Sequence, residues 1–424
     1  MDLALTNRIA IAALALIAPL ALPNRVSAQA SSEPAPAPAP SMEALPPLER
    51  VVALAREMAP TVALARAEVG VGRAAYAGAR LGPVANPYLE VLGARGSAGA
   101  TKDVAIQGSL FVPIEVSGQR GRRIAEVDAL VAWQEAGLDA SRAGAVGEAV
   151  RAYGALVVAA ARVRTFEGLA GVSRDEAGVY EARLAAGDAT ERDAKLAKVE
   201  VARNSVIVAE SRADLARAIT DLHRLIGARV AEPVGLPAEP PPPKMAEPVA
   251  AAARSPHVKA KEREATYHAH AKDRQGREAL SPINVIVTAG RGDLGEARFG
   301  GGLGWTFPAA RRNQGDQARS EAERARASIE RDVRARVIAA TIEGLTAERR
   351  EVRRALAELA SVAEPAALAS VEAAAATQRA GKGELLQVLI ARRDLALLKA
   401  RRLDLLQREW TLLSDLVTLT GDLP

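Results

Sequence analysis

The spacing of apolar positions along this chain changes period several times. Residues 48–81 are Ala-rich, with apolar positions at helical spacing, and this predicts a helix ending at the turn signals Gly82-Pro83 and Asn86-Pro87. Next, Val104, Ile106, Leu110 and Val112 alternate with Ala105, Gln107, Ser109 and Phe111, the period-two pattern of a strand with two different faces. Residues 88–94 form a weaker partner strand, joined through the Gly/Ser/Ala-rich stretch 95–102. The pattern recurs at 284–291 and 299–307, where Phe299, Leu303, Trp305 and Phe307 share one face and Gly300, Gly302, Gly304 and Thr306 the other. Two β-hairpins are predicted, at 86–114 and 283–308.

After each hairpin the helical pattern returns and persists. Residues 118–186 contain no proline and residues 313–380 contain only Pro365. At 1.5 Å per residue each stretch is roughly 100 Å of helix. Shorter helices follow Gly187 and Gly381. Leu398, Leu405, Leu412 and Leu419 recur every seven residues with Leu416 between them, predicting a coiled-coil seam. Val201, Val208, Leu215 and Leu222, with Ile219, keep the same interval in the first half.

The chain is duplicated. Gly121, Gly187 and Gly227 recur as Gly315, Gly381 and Gly421, each shifted by 194 positions, and Pro60 and Pro256 lie in similar helical contexts. Residues 1–28 read as an export signal: Arg8, an apolar stretch interrupted by Pro19, then Val26-Ser27-Ala28 as a small-residue cleavage site. A stiff Pro/Ala linker occupies 29–47, and a second Pro-rich segment at 229–248 separates repeat 1 (48–228) from repeat 2 (249–424). Each repeat is a helix, a β-hairpin and a long helical hairpin, the last at 118–227 and 313–420. The fold class is therefore mainly α with a small β contribution.

Composition narrows the function. Aromatics are 3% of 424 residues, against 49% hydrophobic, which argues for extended helices rather than a thick globular core. With no cysteine there is no disulfide scaffold, thiol nucleophile or lipoprotein anchor. Balanced charge, 56 Lys and Arg against 51 Asp and Glu, gives no basis for nucleic-acid binding. Beyond the signal, no stretch of ~20 uninterrupted apolar residues predicts a membrane helix. No phosphate loop, His-Glu-x-x-His pattern or Ser/His/Asp arrangement is present, so no enzymatic activity and no cofactor are expected. His268 and His270 are spaced i, i+2 and point to different helix faces, so no metal site is expected either. Arg349, Arg350, Arg353 and Arg354, interleaved with Glu348, Glu351 and Glu358, read as a charged helix surface with Glu351–Arg354 and Arg354–Glu358 pairs.

The hairpins carry the most informative pattern. Strands of this length approach what a tilted strand needs to cross a bilayer, and one face is apolar. Hydrocarbon does not tolerate an open sheet edge, and four strands cannot close, since the smallest transmembrane barrels have about eight. If the hairpins span a membrane, several protomers share one barrel. The competing reading packs them against the helices in a soluble periplasmic coiled-coil scaffold without a pore.

The order of these segments resembles the TolC-type outer-membrane efflux channel family. The resemblance rests on the duplicated layout and on three segments. These are residues 379–389 (Arg379-Ala380-Gly381-Lys382-Gly383-Glu384-Leu385 and on to Leu389), Trp305-Thr306-Phe307-Pro308 with Arg312-Asn313-Gln314-Gly315, and Val116 to Arg123. The last two are similar to the cobalt–zinc–cadmium branch of that family. The resemblance implies a homotrimer with a twelve-stranded barrel in the outer membrane and a twelve-strut periplasmic tunnel. It also implies a periplasmic adaptor and an inner-membrane RND-type pump as partners, and passive export, with heavy-metal cations favoured by the branch. Adaptor docking falls on the tips Ala186-Gly187-Asp188 and Ala380-Gly381-Lys382. Lipid-facing strand residues are Val104, Ile106, Leu110, Phe299, Leu303, Trp305 and Phe307. Family members often carry acids six and nine positions beyond the tip glycine. Here those positions are Asp193, Leu196, Gln387 and Ile390, so the constriction is assigned to Asp193 and Gln387 with Glu384 contributing.

Overall fold

The computed structural model describes residues 45–422, apart from 83–84, 99–100, 234–238, 243–246, 293–295, 381 and 383. The export signal, most of the first linker and Gly381 thus lie outside the described residues. All described elements belong to the unit Ser41–Pro424.

Repeat 1 begins with α1 (Leu48–Met58), α2 (Pro60–Ala74) and the single turn α3 (Tyr76–Ala79). The one helix expected over 48–81 is therefore broken. Proline lacks the N–H a continuous helix requires and pushes the preceding residue to extended ψ, and Ala59 accordingly sits at φ −58°, ψ 137°. Strands β1 (Tyr88–Ala98) and β2 (Thr101–Ile114) follow, then the 67-residue helix α4 (Gln119–Ala185) and the 36-residue α5 (Glu191–Ile226). Repeat 2 copies this order with α6 (Pro248–Arg254), α7 (Pro256–Glu278), β3 (Ile283–Arg291) and β4 (Ala297–Trp305). Ser255, before Pro256, reproduces the break at φ −54°, ψ 132°.

The second long segment runs 66 residues, Gln314–Arg379, and is not uniformly α. It consists of α8 (Gln314–Glu358), one π turn (Leu359–Ala363) and α9 (Glu364–Arg379), before the 36-residue α10 (Leu385–Thr420). Pro365 explains the π turn, because a residue without an N–H breaks the i→i−4 ladder and the wider turn absorbs the misfit without ending the helix.

All four strands form one antiparallel sheet in the order β1-β2-β3-β4. The strand ends differ from expectation at the first hairpin. There β1 runs on through Ala98 and β2 starts at Thr101, so most of the stretch expected as a connection is paired, down to Ala98↔Thr101. Both repeats meet at β2–β3, from Ile106↔Arg291 to Ile114↔Ile283.

The main core lies along α4. Val146, Val150, Leu156 and Val157 pack with Val51 and Val52 of α1, Leu222 and Ile226 of α5, and Leu413 and Val417 of α10. Here α4 and α10 approach closely: a Cβ on Gly154 would sit 2.3 Å from the Trp410 ring, and one on Gly147 1.8 Å from Thr418 Oγ1. Trp410 is fully buried, with its ring 5.8 Å from that of Tyr153. The expected seam on α10 is buried in part, at Leu412 and Leu416. The helix's stripe in the main core is Leu403, Leu406, Trp410, Leu413 and Val417, whereas Leu398, Leu405 and Leu419 are only half buried. Leu416 instead joins a second cluster with Ala251, Val258, Ile338 and Ile342.

Arg349 corrects the charged-surface reading. Glu351 and Arg354 do pair at 2.9 Å, but Arg349 is buried and donates to Glu409 at 3.0 Å, with Arg353 donating to the same oxygen at 2.6 Å. Burial pushes the Arg349 guanidinium below its ordinary value. Arg349 also donates to Pro241 O at 3.3 Å, and Arg164 to Pro233 O at 3.3 Å, so helix arginines strap the Pro-rich segment down.

Candidate functional site

Directly opposed residues in a sheet share a face, so the register sorts every strand side chain. One face carries Leu89 and Val91, Val104, Ile106, Leu110 and Val112, Val285 and Val287, and Phe299, Leu303 and Trp305, with Arg95 and Arg291 near the hairpin ends. The other carries Glu90, Gln107, Ser109, Asn284, Thr288 and the glycines 300, 302 and 304, together with Tyr88, Leu92, Phe111 and Ile286. Six of the seven residues expected to face lipid thus lie on one face, and Phe307 follows two positions beyond β4. All seven are exposed, Phe299 at 84% and Leu303 at 76%, whereas Ser109 on the opposite face is 5% exposed. Among the described residues most of this face is left exposed, with Val112 and Val285 half-buried.

Aromatic rings collect at the sheet end next to the helices. Tyr88 stacks on Phe111 at 4.4 Å, and Trp305 meets Phe307 edge-on at 5.3 Å. Among the described residues β1 and β4 each have one neighbour, so both outer edges of the sheet are unpaired there.

The sheet joins the long helices through two matching elbows. Gly118 (φ 72°) and Asn313 (φ 56°) are both left-handed, and Asn313 is the sole non-glycine at positive φ among the described residues. Asparagine tolerates this region better than most side chains. At each elbow the next residue is a glutamine whose Oε1 accepts a backbone N–H two positions back: Ser117 to Gln119 at 3.1 Å and Arg312 to Gln314 at 2.9 Å. Gln119 then donates to Leu280 O at 2.9 Å, and Asn313 to Gln275 O at 3.0 Å, tying both elbows to the end of α7. Arg123 grips Glu115 with both nitrogens, at 2.7 and 3.0 Å. The Arg-Asn-Gln-Gly and Gly-Gln-Arg-Gly segments owe their residue types to this geometry, which local sequence pattern alone did not reveal.

At the far end of the helices, Ala186 caps α4 and Gly187 (φ 81°) turns the chain. Gly187 N–H donates to Leu184 O at 3.0 Å and Asp188 N–H to Arg183 O at 2.8 Å, the two bonds of a Schellman turn. At the second tip Ala380 caps α9, and Lys382 N–H donates to Thr377 O at 3.1 Å. Asp193 is tied into a capping arrangement. Its N–H donates to Thr190 Oγ1 at 3.1 Å, and the hydroxyl donates back to its carboxylate at 2.7 Å. Glu384 is the N-cap residue of α10 and is exposed, and Gln387, also exposed, donates its N–H to Glu384 O at 3.2 Å. The three residues assigned to a constriction therefore all lie at the start of the helices that return from the tips.

Tyr180 is a tip residue not singled out in the sequence. Its hydroxyl accepts from Gln378 Nε2 of α9, and its ring packs with Ala177, Ala197 and Leu385. A lone aromatic one heptad before Gly187 was the available signal. Nearby, Arg392 pairs with Glu176, whose carboxyl burial pushes up. At the opposite end of the helices, His268 lies against the rings of Trp133 (6.2 Å) and Tyr267 (5.0 Å). Among the described residues no group of three His, Asp or Glu side chains is placed to hold a metal ion.

No protein-family model matches the chain, and no curated protein matches it. Solved structures do. A membrane protein from Pseudomonas aeruginosa superposes with TM-score 0.71 at 18% identity, covering 88% of this chain and 92% of that one. The CmeC outer-membrane channel of Campylobacter jejuni gives 0.70 at 13% identity, covering 88% and 85%. CusC, studied in the course of transmembrane channel formation, gives 0.69 at 14%, covering 88% and 91%. The chain shares the fold of these membrane proteins. Long helices with one small antiparallel sheet of four strands are thus an established architecture for it.

Proposed function

We propose that this chain is the outer-membrane channel component of a tripartite efflux system, a passive homotrimeric duct of the TolC type. The observation that carries the reading is the four-stranded sheet with one exposed, mostly apolar face, interrupted only by Arg95 and Arg291 near the hairpin ends, and two outer edges unpaired among the described residues. In hydrocarbon each unpaired edge group costs several kcal/mol, so such a sheet spans a bilayer only when other copies close it. Three copies supply twelve strands, within the range of known barrels. The segment lengths of 67 and 36 residues against 66 and 36 support equal struts for a tunnel.

In this reading the two tips, including Ala186, Gly187, Asp188, Ala380 and Lys382, meet a periplasmic adaptor that links the duct to an inner-membrane RND-type pump. Asp193, Glu384 and Gln387 line the narrow end, where a ring of carboxylates focuses the field and favours cations. The duct performs no chemistry and needs no cofactor, and the energy for transport comes from the pump. Heavy-metal cations are the cargo suggested by the resemblance of the Arg312-Asn313-Gln314-Gly315 segment to the cobalt–zinc–cadmium branch of that family. The test is assembly in the membrane: the protein extracted from outer membranes should have the mass of a trimer and float with liposomes. A monomer recovered in the aqueous fraction would mean a periplasmic scaffold instead.

A further inference from the structure

We propose that the cleft where β4 leaves the sheet binds the phosphate headgroup of an anionic phospholipid, a site that rests on the membrane-spanning reading above. The cleft has a volume of about 660 Å³ and lies between the end of β4, the end of α7 and the start of α8. Trp305, Phe307 and Pro308 line it together with Lys272 and Arg277 of α7 and Arg312 from the segment after β4. A volume of this order suits a ligand of headgroup size.

Its charge is unbalanced in one direction. Lys272 is neutralised by Glu321 at 3.0 Å, and Asp273, the one carboxylate in the lining, by Arg122 at 3.0 Å. Among the described residues no carboxylate pairs with Arg277 or Arg312. Arg312 Nε donates to Pro308 O at 3.2 Å, which orients the guanidinium at the mouth. Guanidinium forks match phosphate oxygens in pairs. At the elbow where β2 leaves the sheet, Ser117 stands at the position equivalent to Arg312, and the nearby Arg123 is held by Glu115, with side chains only 12% and 10% exposed.

The aromatic lining selects a lipid over a free anion. Trp305 and Phe307 continue the apolar face of β4 to the sheet end beside the helices, where the edge of the hydrocarbon and the phosphate layer meet. A ligand that places an acyl chain along Phe299, Leu303 and Trp305 brings its phosphate to Arg277 and Arg312. A free phosphate makes no use of the aromatic lining.

The test is native mass spectrometry of the full-length, detergent-extracted protein with phosphatidylglycerol, phosphatidylcholine or inorganic phosphate added, alongside Arg277→Gln/Arg312→Gln and the exposed-helix control Arg401→Gln. Phosphatidylglycerol should be retained in preference to phosphatidylcholine and should survive excess inorganic phosphate. The double variant should lose about fivefold affinity for each guanidinium removed, on the order of twentyfold together, and the control should not. Equal retention of the two lipids, an unchanged double variant, or displacement by inorganic phosphate alone overturns the site. Liposome flotation of the same preparations separates the two readings. Protein that inserts as a trimer without lipid preference overturns this site alone, whereas protein that never floats overturns the channel reading and the site with it.

Discussion

Asp188 and Lys382, 194 residues apart, close the two helical tips with the same hydrogen bond. Asp188 N–H reaches Arg183 O at 2.8 Å and Lys382 N–H reaches Thr377 O at 3.1 Å. At the first tip this bond depends on Gly187 at φ 81°, a region that disfavours a β-branched residue by about 1–2 kcal/mol. Gly187→Val should leave the global melting temperature nearly unchanged but lower hydrogen-exchange protection of the Gly187 and Asp188 amides. It should also weaken adaptor binding. Unchanged protection at the tip would contradict the turn geometry.

The sheet register makes a sharper demand. Leu303, opposite Val285, points from the apolar face, and Gln107 from the other. An arginine facing lipid at mid-bilayer costs ~2–4 kcal/mol. Leu303→Arg should therefore reduce the trimer recovered from membranes, while Gln107→Arg assembles normally. Equal yields of the two would mean that the face does not meet lipid.

Much of this arrangement was legible in local pattern, and the rest was not for identifiable reasons. Strand alternation at Val104–Leu110 and Phe299–Trp305 placed the apolar face, and the glycine offset placed the tips. The joining of β2 to β3 is a contact between distant segments, which no local period records. On α10 two apolar stripes overlap, because the helix is buried towards both α4 and α8, and the sequence could not show which stripe meets which partner. Asn313 takes a backbone conformation usually left to glycine, so its kinship with Gly118 was hidden behind different residue types. Arg349 sits in a charge-dense stretch whose deciding partner, Glu409, is 60 residues away.

That buried pair gives a stability prediction. Removing one partner of a buried ion pair leaves an uncompensated charge and costs about 3–5 kcal/mol. Glu409→Leu should lower the melting temperature substantially, and adding Arg349→Met should restore much of the loss. A double variant no better than the single would contradict the pairing.

His257 sets a pH dependence. Its Nε2–H donates to Thr418 O at 3.1 Å, and burial holds its pKa below the ordinary histidine value. A depressed folded-state value means that the unfolded chain takes up the proton first as the pH falls. The residue's stabilisation is thus complete above about pH 6.5 and is lost as the pH drops through the lower folded-state value. The melting-temperature gap between wild type and His257→Gln should narrow between pH 7.5 and 5. A gap independent of pH would contradict the buried, neutral imidazole.

The central claim is that three copies of this sheet close around a pore, and single-channel recording in a planar bilayer tests it most directly. The purified trimer should give discrete, cation-selective steps, with selectivity reduced by Asp193→Asn. A water-soluble protein that never conducts would contradict the account.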